Sequence, residues 1–144
     1  MSNYIVTVKQ VPDITQITGN AFNPETGTLK RGTLPSVINK LDADALAFAN
    51  KMKHLSPGKI VCLTMGPPKS SEVLTYSLSR CADHAVLLTD RVLGGADTPA
   101  TANPLAYAIR KIAKDIFKGN DDYVVVSGMQ SVDGDTAQVP ARIA

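Results

Sequence analysis

Residues 124–138 constrain the fold more than any other stretch of the chain. Val124, Val125 and Val126 form a β-branched run that reads as a buried strand. The run breaks into Ser127-Gly128-Met129-Gln130-Ser131-Val132-Asp133-Gly134-Asp135-Thr136, followed by Ala137-Gln138. A short apolar run that ends in small, turn-forming residues with a helix start behind it is the strand–loop–helix unit of an open α/β sheet. Ligands in such sheets bind outside the carboxyl ends of the strands. Gly128 and Gly134 suit a backbone that takes up positive φ or lets a ligand approach closely. Thr136 is a good N-cap, and a helix N-terminus behind it offers free N–H groups to a phosphate. Nucleotide recognition by backbone is one reading of this segment; a polar turn with an ordinary cap is the other.

The rest of the chain carries the same alternation. Tyr4–Val11 and Lys59–Met65 read as strands, and Ala85–Leu88 and Tyr123–Ser127 as two more; their near-continuous apolar character fits a parallel sheet buried on both faces. Leu41, Ala45, Phe48 and Met52 repeat at helical spacing, which predicts a helix from Leu41 to Leu55, stopped by Pro57-Gly58. Ser70 or Ser71 caps a second helix that runs to about Arg80, with Glu72 in its first turn. Leu105, Ile109, Ile112 and Ile116 mark a third, which ends near Gly119. Gly95-Ala96-Asp97-Thr98 precedes it as a capped start, with Pro99 at the first helical position. Asn23-Pro24-Glu25-Thr26-Gly27 is a turn that Ala21-Phe22 and Thr28-Leu29 could flank as a small hairpin. Strand and helix alternating in this way predict a doubly wound, Rossmann-like parallel sheet with helices on both faces. No G-x-G-x-x-G follows the first strand, which ends Lys9-Gln10-Val11-Pro12-Asp13, so any nucleotide is held by other loops.

A chain of 144 residues, 44% of them hydrophobic, suits one domain over 1–144 with a real core. A net charge of +2, with Lys51, Lys53, Lys69, Arg110, Lys111 and Lys114 scattered, argues against a nucleic-acid partner. No apolar run approaches a membrane span, and Met1 leads directly into a strand, so the expectation is a cytoplasmic or organelle-matrix protein. Cys62 and Cys81 form no C-x-x-C pair and read as packed thiols in a reducing compartment. Asp133 and Asp135 have no histidine or third acid near them in sequence. They read as loop-ordering carboxylates, with Asp135 near the helix N-terminus. His54 and His84, at a helix end and a strand start, read as ordinary residues.

Taken in order, the motifs resemble the β subunit of electron transfer flavoprotein. The family pattern Gly-x-Gln-x-x-Asp-Gly-Asp-Thr-Ala-Gln-Val stands here as Gly128 to Val139. Val8-Lys9-Gln10-Val11-Pro12-Asp13, Pro35-Ser36-Val37-Ile38-Asn39, Met65-Gly66-Pro67-Pro68 and Gly95-Ala96-Asp97-Thr98-x-Ala100-Thr101 precede it in the family's order. The resemblance implies an adenine-nucleotide-binding fold and a site made of Thr7, Lys9, Asn39, Lys40, Leu41, Asp42, Met65, Gly66, Pro67, Asp97 and Thr98. To these it adds Gly128, Met129, Gln130, Ser131, Asp133, Gly134, Asp135, Thr136, Ala137, Gln138 and Val139. From the residues themselves, Asn39 is either a cap for the following helix or a hydrogen-bonding group for an adenine or ribose edge. Lys9 either pairs with a phosphate or a neighbouring carboxylate, or is a solvated strand-end lysine.

The implied cofactor is FAD or AMP, with FAD favoured, and NAD as an exchanging nucleotide. Gly-Pro-Pro with the Gly95 loop is typical, in that family, of subunits that carry a full second flavin and exchange electrons with a nicotinamide nucleotide, the bifurcating type. The implied partners are an α subunit and an acyl-CoA dehydrogenase-type redox protein. No residue is expected to act catalytically and none to bind a metal, because flavin and nicotinamide carry the redox steps. Lys40 stands where the family commonly has proline, and Cys81-Ala82-Asp83-His84 where it usually has Gly-Ala-Asp-Arg. The family's subunit runs on well past Ala144, so the expectation is a truncated domain that binds nucleotide weakly, transfers no electrons alone and self-associates as a symmetric dimer. A non-redox regulatory domain that binds ATP or AMP on the same fold is the alternative. A nucleotide-cleaving ligase would need a Ser-Gly-Gly-x-Asp-Ser loop after the first strand, which this chain lacks.

Overall fold

The computed structural model describes residues 2–16, 18–27 and 34–144. Strands β1 (Asn3–Thr7), β4 (Ile60–Met65), β5 (His84–Leu88) and β6 (Tyr123–Ser127) form one sheet in the order β5-β4-β1-β6. Every pairing in it is parallel: Val6 lies beside Cys62 and Val126, and Leu63 beside Val86. A separate antiparallel pair joins β2 (Gln10–Pro12) to β3 (Ser36–Ile38). The helices are α1 (Lys40–Leu55), α2 (Ser71–Arg80), α3 (Thr98–Asp115) and α4 (Val139–Ile143). The chain works outward from β1 to β4 and β5, then returns across α3 to β6 on the other side of β1. The gap between β1 and β6 is therefore the topological switch point, where open α/β sheets hold ligands.

Both faces of the sheet are covered. Tyr4, Val6, Ile60 and Cys62 pack against Ala45, Leu46 and Ala49 of α1 and Val73 and Leu74 of α2. Ile5, Val61 and Leu63 pack on the opposite face against Leu105, Ile109, Ile112 and Ala113 of α3 and Phe117 just beyond it. Alternate residues of one strand thus feed two cores, which is why β1 and β4 read as unbroken apolar runs. Val139 and Ile143 of α4 join the α3 side. The α3 helix ends at Asp115, four residues before Gly119: Ile116 is its C-cap, Lys118 (φ 58°) and Gly119 (φ 76°) turn the chain away, and the Gly119 amide reaches back to the carbonyl of Ala113. No helix among the described residues is long and apolar enough to cross a membrane.

Several local expectations need correction. Tyr4–Val11 is not one strand. β1 stops at Thr7, because both backbone groups of Lys9 are claimed by α1: its amide by the Asp42 carboxylate at 2.9 Å, its carbonyl by the Asn39 amide at 2.8 Å. The chain then turns into the small antiparallel pair. The valine run is not fully buried: among the described residues β6 is the last strand of the sheet, and Val124 is 48% and Val125 37% exposed. The predicted apolar stripe of α1 is rotated: Phe48 is exposed, while Asp42, Ala45, Leu46 and Ala49 are buried.

Thr136 caps nothing. α4 begins at Val139 behind Gln138, with no side-chain cap. Pro99 is the second residue of α3 rather than the first, after an Asp97 cap that accepts from the Ala100 amide at 2.9 Å. Ser70 does occupy the N-cap position of α2, but without a side-chain bond. The 23–27 turn forms, with the Gly27 amide on the Asn23 carbonyl at 2.8 Å. Ala21 lies in a 3-10 turn, and Thr28-Leu29, the other flank of the expected hairpin, lie outside the described residues.

Candidate functional site at the carboxyl edge of the sheet

A cavity of about 450 Å³ opens between the ends of β1 and β6. Because the sheet is parallel, the carboxyl ends of β1, β4 and β6 share one edge, and the loops behind them converge there. Thr7, Val8 and Lys9 come from the end of β1, Leu63 and Met65 from β4, and Ser127 from β6. The loop after β6 contributes Gly128, Met129, Gln130, Ser131, Gly134, Thr136, Ala137 and Gln138. Ala96, Asp97, Thr98, Thr101 and Leu105 enter from the start of α3, and Val139, Pro140 and Ile143 from α4. Leu63, Met65, Leu105, Val139 and Ile143 give an apolar wall; Thr7, Ser127, Thr98 and Lys9 supply hydroxyls and a cation.

The loop after β6 is shaped by α1. Asn39 is fully buried at the head of that helix, and its side chain makes no capping bond to it. Its amide nitrogen instead donates to the Gln130 carbonyl at 2.9 Å, and its amide oxygen accepts from the Val132 N–H at 3.2 Å. One residue type with a donor and an acceptor a fixed distance apart thus satisfies two backbone groups of a loop 91 to 93 residues away.

Asp42, one turn on, accepts from the Lys9 amide at 2.9 Å, and the Gly128 amide and the Asn39 side chain are further partners. Burial pushes its pKa up to about 6, with these hydrogen bonds and the Lys9 charge pulling the other way. Gly128 is glycine for contact with α1. A Cβ there would run into the Asp42 carboxylate and lie 2.9 Å from the Asp42 nitrogen and from the Leu41 carbonyl carbon. The expected positive φ falls on neither Gly128 nor Gly134; Asp135 (φ 51°) and Ala137 (φ 54°) adopt it instead.

The opposite side of the loop faces solvent. Lys9 Nζ sits 2.7 Å from Asp133 Oδ1 and 3.1 Å from Ser131 Oγ, so of the two roles open to this lysine the structure shows pairing with a neighbouring carboxylate. Burial acts to raise the pKa of Asp133, but the hydrogen bonds from Lys9 and Ser131 and the lysine charge outweigh it and hold the carboxyl below its ordinary value. Thr7 and Ser127 share a 2.7 Å hydroxyl contact across the β1–β6 seam. A Cβ on Gly134 would meet only Ser131 Oγ at 3.4 Å and Lys9 Nζ at 3.8 Å, so that position is open toward the lysine.

Of the residues the sequence pointed to, Asn39, Lys40, Leu41, Gly66, Pro67, Asp133 and Asp135 do not line the cavity. Asn39 and Asp133 lie behind or beside the loop and hold it. Gly66 turns off the end of β4, its amide on the Leu88 carbonyl at 3.1 Å, with Ser70 packed where a Cβ would go. Val8, Leu63, Ala96, Thr101, Leu105, Ser127, Pro140 and Ile143 line it unforeseen. For Leu63 the signal was present, since it lies two residues before the end of a predicted strand. Leu105 and Ile143 become lining residues through the packing of α3 and α4, which no local pattern gives.

Elsewhere, Cys62 is buried and Cys81 half-buried, both as free thiols; burial pushes Cys62 up to about 11, far from a reactive thiolate. No group of three or more His, Cys, Asp or Glu suited to a metal ion occurs among the described residues.

Residues 26–144 match the electron transfer flavoprotein domain family. The chain is 44% identical over 141 residues to the caffeyl-CoA reductase-Etf complex subunit CarD of Acetobacterium woodii, covering 97% of this chain and 50% of that one. It is 46% identical over 140 residues to protein FixA of Bradyrhizobium diazoefficiens, covering 97% and 46%. It is 42% identical over 142 residues to the electron transfer flavoprotein subunit beta of Clostridium acetobutylicum, covering 99% and 51%. The chain thus spans about half the length of these curated relatives. With that domain matched over most of its length, the chain belongs to the electron transfer flavoprotein family and resembles its β subunits.

Proposed function

We propose that the cavity at the β1–β6 switch point binds the adenylate part of FAD, or AMP in its place, in an electron transfer flavoprotein β-type subunit. One observation carries this reading: the ends of β1 and β6, the 128–138 loop and the start of α3 enclose a single cavity at the place where this topology holds ligands. The residues fit the group. A volume of about 450 Å³ falls within the range of about 300–1,000 Å³ usual for small-molecule sites. The wall of Leu63, Met65 and Leu105 suits a planar ring. The Lys9 ammonium and the open face at Gly134 suit a phosphate approaching backbone.

Bound flavin supplies the electron-transfer chemistry; the chain's own residues bind, orient and exclude water. The wider role belongs to the same proposal. The protein works with an α subunit, passes electrons between a dehydrogenase of the acyl-CoA type or NADH and an acceptor, and acts in the cytoplasm. Purification of the protein with its partner, followed by denaturation and mass measurement of what is released, tests this. FAD with a flavin absorption spectrum supports the redox reading. ATP or AMP in a colourless protein that functions without an α subunit supports the non-redox regulatory reading, and no adenine nucleotide at all overturns both.

A further inference from the structure

We propose that Asn39 is the positioning residue of this site: its buried amide fixes the 128–134 loop in the shape the adenylate needs and does not itself touch the nucleotide. The inference rests on the adenylate reading above and adds a division of labour to it. Asn39 is fully buried and lines no part of the cavity. Its side-chain nitrogen donates to the Gln130 carbonyl at 2.9 Å and its oxygen accepts from the Val132 N–H at 3.2 Å, and the same side chain hydrogen-bonds the Asp42 carboxylate, which lines the cavity. Gln130 and its neighbours Met129 and Ser131 line the cavity, so the amide acts on the site through them.

The bonds also close a circuit. The Asn39 backbone N–H donates to the Lys9 carbonyl at 2.8 Å, and the Lys9 side chain reaches Asp133 at 2.7 Å and Ser131 at 3.1 Å. The Asn39 side chain then grips the two residues that flank Ser131. β1, α1 and the loop are thereby tied together by groups of the chain itself. A loop already ordered spares the ligand the conformational cost of ordering it, which appears as affinity. Asparagine is the side chain that meets this geometry: aspartate lacks the donor for Gln130, and serine is too short to span both groups.

The test uses the intact protein stripped of co-purified nucleotide, with AMP as the probe. Asn39→Ala is compared with Ser77→Ala, which removes a buried hydrogen bond in α2 away from the cavity. In nucleotide-free protein, amide exchange at Val132 should quicken at least tenfold in Asn39→Ala, while Ile60 and Val61 in β4 keep their protection. AMP affinity should fall at least tenfold in the same variant, and Ser77→Ala should change neither readout. If Asn39→Ala does not fold, Asn39→Ser serves for the same two measurements. Unchanged exchange at Val132 overturns the proposal. So does a loss of AMP affinity with Val132 still protected, since the amide would then be a direct ligand contact. The exchange arm needs no nucleotide: accelerated exchange beside a wild type that binds no AMP would sink the adenylate reading and leave the loop clamp standing.

Discussion

The loop after β6 is held on two sides by different chemistry. On its inner side, Asn39 and Asp42 project from the head of α1 and meet loop backbone with their own side chains buried, Asn39 0% and Asp42 7% exposed, Asp42 at the cavity wall. On its outer side, Lys9 meets Asp133 and Ser131 with the lysine side chain 45% exposed. Distances on the two sides are alike, between 2.7 and 3.2 Å. Their energetic weight is not. A backbone group that loses its partner inside a protein keeps the full cost of its desolvation, whereas an ion pair at the surface exchanges its partner for water at little cost. The inner contacts therefore set the loop's shape, and the outer pair sets the charge that the loop presents to a ligand.

The largest expected effect comes from the inner side. Asn39→Ala removes two part-buried hydrogen bonds to the loop and leaves a cavity where a fully buried side chain stood, and should lower unfolding stability by about 4 kcal/mol, read from urea denaturation. A loss under about 1 kcal/mol would remove the contrast between the two sides.

Next comes the pH response of Asp42. Its folded pKa of about 6 lies above the ordinary 3.8, so between those values the native state binds more protons than the unfolded chain. Stability should then fall as pH rises from 3.8 to 6, by about 3 kcal/mol from this group alone. Asp42→Asn should erase that slope in denaturation midpoints measured across the window. Asp133 has the opposite sign. Its pKa is lowered in the fold, so its contribution is complete above the ordinary carboxylate value and is lost as pH falls below it. A wild-type stability that rises steadily from pH 3.8 to 6 would contradict the assignment of Asp42.

Gly128→Ala tests the same inner contact by volume. The added methyl has to displace the Asp42 side chain and backbone, an overpacking cost of about 2 kcal/mol. The same change at Gly134, where a Cβ meets only 3.4 and 3.8 Å neighbours, should cost far less. Thermal denaturation of the two variants side by side decides it. The smallest effect is on the outer side. Lys9→Met should change stability by less than about 1 kcal/mol, while weakening AMP binding and reducing its salt dependence in calorimetric titration.

The layout of the sheet was legible because its signal is local. Apolar runs and helical spacing located β4, β5, α2 and the body of α3 to within a few residues, and the capped start before Pro99 placed the beginning of α3 to within one. What sequence could not show depends on partners distant along the chain. Val8 and Lys9 look like the continuation of β1 until the Asp42 carboxylate and the Asn39 amide claim the Lys9 backbone. Val124 to Val126 look buried because β-branched residues carry no mark of whether their strand lies inside a sheet or at its edge. At Thr136 the error is a cap without a helix: Asp135 and Ala137 at positive φ delay α4 to Val139. Alanine in that conformation has no local signal. The site was legible as a set of loops on one edge. Its division into residues that line the cavity and residues that stand behind them appeared only with the hydrogen bonds of Asn39.

The most direct test of the account is a map of amide chemical shifts during titration of the nucleotide-stripped protein with AMP. Saturable shifts are expected at Lys9, Thr98, Ser127 to Ser131 and Gly134 to Val139, with Asn3, Ile60 and Tyr123 at the opposite edge of the sheet unmoved. Shifts confined to that opposite edge, or none at millimolar AMP, would contradict it.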